Sequence, residues 1–221
     1  MRHKIPEAVE AELKIPQGQK ERAGWKTFEE RVKERAADAL KEGTAHWQKN
    51  GKIAVQMGAN DCRPGKSWVD FTGTIKVEAG IHSKYSRLGV AFHFDTKKVA
   101  LASMELKEDH FRGKQKRQLM KHARVGAVCF LLIHFNHRKL RTKEDQAATW
   151  AVPVHPDHEF WVKHERGLVS SLSRENAEKY GVSVEWTKLK GQKTFRPDIV
   201  TAVKKLIELP IPKYKEGPAP W

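Results

Sequence analysis

Apolar residues recur at helical spacing at Phe28, Val32, Ala36, Ala39 and Leu40, and at strand spacing in several short runs further on. Thr27-Phe28-Glu29-Glu30 reads as a capping box, with Thr27 as N-cap and Glu30 three positions on, and Gly43 supplies the stop. Ile53–Met57, Trp68–Thr74 and Gly89–Lys97 have strand character, with Gly65, Gly73 and Gly80 as punctuation. Residues 115–125 suit a helix, and Val128–Phe135 is the continuous apolar run of a strand buried on both faces. Later, Trp150–Val154 reads as a strand closed by Pro153. Ser173–Tyr180 reads as a helix ended by Gly181, and Pro197–Leu209 as a helix with Pro in its first turn. Residues 1–24, with two prolines, two glycines and weak periodicity, read as a flexible arm, and the Pro-rich tail Lys213–Trp221 as loose. The order helix, three strands, helix, strand describes an α/β core over residues 25–140, followed by a C-terminal extension, 141–221.

Composition narrows the classes. The 221 residues are 39% hydrophobic and 31% charged, enough for a packed core. No apolar run approaches the roughly 20 residues that span a bilayer, so no membrane partner is expected. The first residues lack an apolar signal-peptide core, so a cytoplasmic protein is expected. Cys62 and Cys129 are the two cysteines, which excludes a disulfide scaffold and a Cys-rich zinc site.

Charge then points to a partner. Lys and Arg number 42 against 27 Asp and Glu, a net charge of +15, and such an excess favours a polyanion, most often nucleic acid. From His110 to Lys143 there are ten Lys or Arg and no acid. Arg112, Lys114, Lys116, Arg117, Lys121, Arg124, Arg138 and Lys139 are therefore the candidates to contact DNA phosphates. The alternative is a basic face paired with acids from elsewhere in the fold.

Two strands carry candidate chemistry. In Trp68–Thr72, Val69 and Phe71 should point one way and Asp70 and Thr72 the other; in Val90–Lys97, Asp95 and Lys97 share the face opposite Phe92 and Phe94. Two carboxylates are hard oxygen ligands that suit Mg²⁺ or Mn²⁺, and a neighbouring ammonium can offset charge building on a phosphate. The bland reading of Asp-x-Lys is an exposed ion pair worth about 0–1 kcal/mol. On the first helix Glu29 lies about 100° from Phe28, inside the apolar arc, whereas Glu30 lies outside it. A carboxylate on the core side is costly unless it meets a cation or a metal, so Glu29 is the candidate third acid. The alternative places it at the edge of the arc, reaching solvent.

The order of helix-borne Phe28-Glu29, strand Asp70, strand Asp95-Thr96-Lys97 and a helix headed by Gln115 resembles the PD-(D/E)XK nuclease fold. Within it the chain resembles RecU-type Holliday junction resolvases, including phage-encoded relatives. The similar stretches are Gly24–Glu30, Val69–Gly73, Phe92–Lys97 and Lys114-Gln115 through Gly126–Ile133. The resemblance implies a restriction-endonuclease-like α/β core, a mixed central sheet flanked by helices. It implies that Asp70 and Asp95 bind Mg²⁺, with Mn²⁺ as a substitute and with the Thr96 main-chain carbonyl contributing. Lys97 takes the catalytic-lysine position, Glu29 that of the first-helix acid, and Gln115 that of the Gln beside the site. A homodimer making paired symmetric nicks in four-way DNA junctions follows from the same likeness, in the host cytoplasm for a phage-encoded member. Val69 stands where Pro is the motif residue, and Asp95 where Glu is commoner. Ile53 to Asp70 leaves space for a short loop at Asn60–Lys66, where RecU proteins insert a stalk. The other readings are a same-fold nuclease acting on duplex or flap DNA, and a non-catalytic DNA-binding recombination accessory protein.

His155, His158 and His164 with Asp157 fit no zinc template and read as packing or surface residues. Trp150, Trp161 and Trp186 read as core, and Cys129 as a small buried hydrophobe.

Overall fold

The computed structural model describes residues 20–50, 53–56, 62–65, 69–76, 89–106, 111, 113–136, 138–139, 144–145, 147–188 and 194–211. Helix α1 spans Lys20–Lys41. Strands β1 (Ala45–Lys49), β2 (Ile53–Gln56), β3 (Cys62–Gly65), β4 (Phe71–Lys76), β5 (Gly89–Val99) and β6 (Ser103–Glu105) follow. Next come α2 (Gly113–Arg124), β7 (Val128–Phe135), β8 (Arg138–Lys139), β9 (Glu144–Asp145), β10 (Ala148–Pro153) and α3 (Glu159–Glu165). The described residues end with β11 (Ser171–Ser173), α4 (Arg174–Tyr180), β12 (Val182–Ser183), β13 (Trp186–Thr187), β14 (Arg196–Pro197) and α5 (Ile199–Glu208).

The central sheet has six strands in the order β1-β4-β5-β7-β10-β12. The β5–β7 pair is parallel and the other neighbours are antiparallel, so the sheet is mixed. The expected α/β architecture, a mixed sheet flanked by helices, is the one observed. One face packs Phe28, Val32 and Ala39 of α1 and Ile199, Val203 and Leu206 of α5 onto Phe71, Phe92, Phe94, Phe130 and Leu132. The other packs Leu119, Met120 and Ala123 of α2, Phe160 and Trp161 of α3, and Ala177 and Tyr180 of α4 onto Leu131, Ile133 and Phe135. Because β7 is covered on both faces, its sequence is apolar at every position but His134 rather than alternating.

A ladder of phenylalanines sets the register. Phe71 pairs with Phe94 across β4 and β5, and Phe94 with Phe130 across β5 and β7. Both ring pairs are stacked with centroids 4.8 Å apart. Each contributes about 0.5–1.5 kcal/mol beyond its buried area. A slip of one residue would turn these rings to the opposite face, so the ladder also fixes which residues stand beside Phe94, among them Asp95.

Several boundaries differ from the pattern reading. The first helix begins at Lys20, seven residues before Thr27, so Thr27 is a helix-interior residue and not an N-cap. Lys20-Glu21-Arg22-Ala23 are all good helix formers, and Gly24 costs about 1 kcal/mol without breaking the run. Leu40 lies at the edge of the apolar arc and is 58% exposed. Gly43 does end the helix: its φ is +66°, and the Thr44 N–H reaches back to the Ala39 carbonyl at 3.1 Å. Residues 62–65 are a strand paired with β2, where a loop was expected, so a short hairpin stands between β1 and β4. Pro197 pairs with Trp186 in a short strand and does not open the last helix; Asp198 caps it, its Oδ1 accepting from the Thr201 N–H at 3.2 Å. Residues 147–211, within the span read as an extension after 140, contribute β10 and β12 to the central sheet and α3, α4 and α5 to its faces. The arm at 1–19 and the tail from 212 lie outside the described residues.

Candidate active site

Alternation along β5 sends Phe92 and Phe94 into one core and leaves Asp95 and Lys97 on the other side. The corresponding reading of β4 needs correction. Val69 and Phe71 were expected to share a face, but Val69 packs with the α2 side and Phe71 with the α1 side. Residues 69 and 70 form a bend ahead of β4, so strand alternation does not govern them. The bend carries the Asp70 carboxylate to β5, where its Oδ2 accepts from the Thr96 N–H at 3.1 Å and the Thr96 hydroxyl at 3.2 Å.

Asp95 is fully buried. Its Oδ1 accepts from Gln115 Nε2 at 3.1 Å, and its Oδ2 forms an ion pair with the Lys97 ammonium. Burial raises the Asp95 carboxyl well above the ordinary range; Lys97 pulls it down, and the neighbouring Asp70 pushes it up again. Burial acts upward on Asp70 as well, but the hydrogen bond with the Asp95 carboxyl, the Lys97 charge and the two bonds from Thr96 hold it below its usual value. Two carboxyl groups so close behave as a pair sharing one proton.

The structure thus brings Asp70, Asp95, Thr96, Lys97 and Gln115 together beyond the last β4–β5 pair, Phe71 and Phe94. Glu29 is buried at 9% exposure, as its place in the arc required, and it forms an ion pair with Lys49 at the end of β1. Among the described residues no cluster of three or more His, Cys, Asp or Glu is placed to hold a metal. The donors on offer are instead two carboxylates and main-chain oxygen. In an extended strand the N–H and C=O of one residue point to the same edge, so the Thr96 carbonyl opens to the side where its N–H meets Asp70. Such an all-oxygen set, with two converging carboxyl groups, fits a hard divalent ion.

Helix α2 joins this site to the basic surface. Leu119, Met120 and Ala123 face the core, while Gln115 and His122 lie on the flank towards β5. Lys114, Arg117, Lys121 and Arg124 fall within an arc of about 80°, at roughly 100° per residue, away from the core. All four are exposed. Lys116 lies outside that stripe, 3.4 Å from His164 Nδ1 and 3.5 Å from Glu165 on α3. Arg112 and the side chains of Arg138 and Lys139 lie outside the described residues.

The chain matches no protein-family model and no curated protein. Among solved structures it is similar to Hjc, a Holliday junction resolvase from the archaeal hyperthermophile Archaeoglobus fulgidus. The TM-score is 0.36 and the identity 13%, with 72% of this chain and 94% of that chain covered.

Two features near the site escaped the sequence reading. His93 stacks on His122 at a centroid distance of 4.2 Å, and burial with the adjacent His122 lowers His93 to a pKa of about 4. Asn50 bonds to three groups around the Asp70 bend. Neither belongs to a spacing pattern that marks it in advance. Buried His158 caps α3, its Nδ1 accepting from the Phe160 N–H at 3.2 Å, and His155 Nδ1 accepts from the Asp157 N–H at 3.2 Å. Trp161 and Trp186 are buried, and their indole N–H groups donate to Pro153 O and Thr149 Oγ1. Cys129 is buried too, and desolvation pushes its thiol up to about 12, which suits a packing role. No described helix is long and apolar enough to cross a membrane.

Proposed function

We propose that this protein is a divalent-metal-dependent endonuclease that resolves four-way DNA junctions by paired nicks, acting as a homodimer. The observation that carries the catalytic part is the coupled pair of half-buried Asp70 and buried Asp95 with Lys97 alongside, tied through Gln115 to a helix that presents a stripe of four cations. A solubility surface would not be linked in this way to two coupled carboxylates. The junction and dimer parts rest on the motif resemblance.

Asp70, Asp95 and the Thr96 carbonyl would hold Mg²⁺ or Mn²⁺, which supplies an activated water and stabilises charge on the phosphodiester when bound. Gln115 fixes the direction of the Asp95 carboxylate through its hydrogen bond to Oδ1. Lys97 places a positive charge beside Asp95, where it can counter negative charge developing on a non-bridging phosphate oxygen. Lys114, Arg117, Lys121 and Arg124 hold the sugar–phosphate backbone without reading bases. Glu29 acts through Lys49, keeping that cation at the end of β1 next to the Asp70 bend.

The test is to incubate the full chain and Mg²⁺ with a labelled four-way junction and with a duplex of the same sequence. Paired nicks confined to the junction are expected. Cutting of the duplex would move the substrate class to linear DNA, and binding without cutting would overturn the catalytic assignment. Asp70→Asn should lower cleavage by about 10²-fold or more while leaving junction binding in place; loss of both in a folded variant would count against separating site from surface.

A further inference from the structure

Asp70 is held from two sides. Thr96 orients the carboxylate, and the backbone that carries it, a bend at residues 69 and 70 ahead of β4, needs fixing as well. Asn50, the residue after β1, meets that need. Its N–H donates to the Asp70 carbonyl at 2.8 Å, its side-chain Nδ2 donates to the Val69 carbonyl at 2.8 Å, and its Oδ1 accepts from the Thr72 hydroxyl at 3.1 Å. Three bonds from one residue therefore span 69, 70 and 72. They hold the turn that parts Val69 and Phe71 onto opposite faces and swings Asp70 towards β5.

We infer that Asn50 is a positioning residue: its side chain sets the Asp70 carboxylate for the divalent ion. The inference rests on the endonuclease reading above. A strand that merely needed an end would be served by the backbone N–H alone. The amide side chain adds one donor and one acceptor in the arrangement that Val69 and Thr72 require, and Asp in its place would set a carboxylate against the Val69 carbonyl. Metal sites tolerate displacements of about 0.5 Å, and removing a partner that orients a ligand typically weakens metal affinity about 10–100-fold.

The test is Mn²⁺ binding to the full chain, followed by the electron paramagnetic resonance signal of the free aquo ion, with thermal unfolding measured on the same samples. Asn50→Ala should raise the Mn²⁺ dissociation constant about tenfold. Thr72→Val removes one of the three bonds while keeping a strand-favouring shape, and should raise it about threefold, a smaller effect of the same origin. It also serves as the probe if Asn50→Ala does not fold. Cleavage by Asn50→Ala should recover at high Mn²⁺, and DNA affinity without metal should match that of the unaltered chain. A folded Asn50→Ala or Thr72→Val that binds Mn²⁺ as tightly as the unaltered chain overturns the role of Asn50 and leaves the endonuclease reading standing. If the unaltered chain binds no Mn²⁺, or if Asp70→Asn binds it equally well, the metal site itself is wrong and the inference falls with it.

Discussion

His134 sits next to the last residue of β7 with no exposure to solvent, its Nδ1 2.8 Å from Thr149 Oγ1, a hydroxyl that also accepts from the Trp186 indole at 2.8 Å. Its Nε2 has no hydrogen-bond partner among the described residues. Protonation would bury a charge with one donor unmatched, and desolvation, helped by Lys98 and Arg174, lowers the pKa from 6.5 to about 3. His158 behaves alike: burial first, then nearby His155, outweigh the opposing Glu159 and bring it to about 4. Above pH 6.5 both folded and unfolded chains hold neutral imidazoles. Below it the unfolded chain takes up protons that folded His134 refuses until about pH 3. Stability is therefore whole above 6.5 and declines as pH falls through that window, by up to about 1.4 kcal/mol per pH unit for each such residue. Urea unfolding at pH 7.5, 6 and 5 should show the decline, and His134→Gln should make it shallower. A flat profile would mean that these rings are not held neutral. Residue identity made such positions hard to read in advance, since nothing in Ile133-His134-Phe135 distinguishes a buried histidine from one facing solvent. Asp70, Asp95 and Lys97 were legible for the opposite reason: carboxylates and a lysine interrupt runs otherwise apolar and aromatic. Asn50 was not, because an asparagine after a short strand marks many ordinary turns.

At the level of elements, α2 combines three duties on three faces, and this division can be tested. Its core face packs Leu119, Met120 and Ala123, one flank presents Gln115 to Asp95, and the outer stripe is cationic. If the stripe binds phosphates, Lys121→Gln and Arg124→Gln should each weaken DNA binding and lower the slope of log affinity against log salt by about one. Lys116→Gln should leave that slope unchanged, because Lys116 already faces Glu165. Equal effects at all three positions would show diffuse electrostatics rather than a stripe. The middle of β4 makes a different demand. A Cβ on Gly73 would stand 2.4 Å from the His46 carbonyl oxygen, 2.5 Å from Trp47 Cβ and 2.7 Å from a Phe92 ring carbon. Gly73→Ala should therefore cost about 1–3 kcal/mol, seen as a lower midpoint in urea; an unchanged midpoint would show that β1 can move away freely. Long elements with one strong pattern were the readable ones. Val128–Phe135 matched to the residue because burial on both faces leaves a run whose one polar residue is His134. α3 went unread: Glu159–Glu165 is under two turns long, too short for a period to emerge. The strand at Pro197 was misread since proline also opens helices, and the pairing with Trp186 that decides the matter is not local.

For the whole molecule, the central question is where the folding unit ends. The motif resemblance stops near residue 133, yet the sheet continues: Phe130 through Phe135 pair with Pro153 through Ala148 on β10, and β10 pairs in turn with β12. Later residues also cover both faces, through α5 over Phe130 and Leu132 and through α3 and α4 over Leu131 and Ile133. They reach the site as well. Trp161 packs against Phe111 at 5.7 Å, and the Lys97 ammonium lies 6.0 Å from the centre of that Phe111 ring. A chain ending at residue 140 would leave β7 as an open edge and strip the α5 cover from one face and the α3 and α4 cover from the other. Burying a large apolar side chain stabilises by about 1.5–3 kcal/mol, so losing cover over even four of them would consume most of the roughly 5–15 kcal/mol by which domains are stable. The truncated chain is thus expected to lack near-ultraviolet circular dichroism and a cooperative urea transition, and to bind Mn²⁺ no better than Asp70→Asn. A truncated chain that unfolds cooperatively and keeps its Mn²⁺ affinity would instead show that residues up to 140 hold Asp70, Asp95 and Lys97 in place unaided. The later strands and helices would then be an addition whose purpose must be sought in DNA binding.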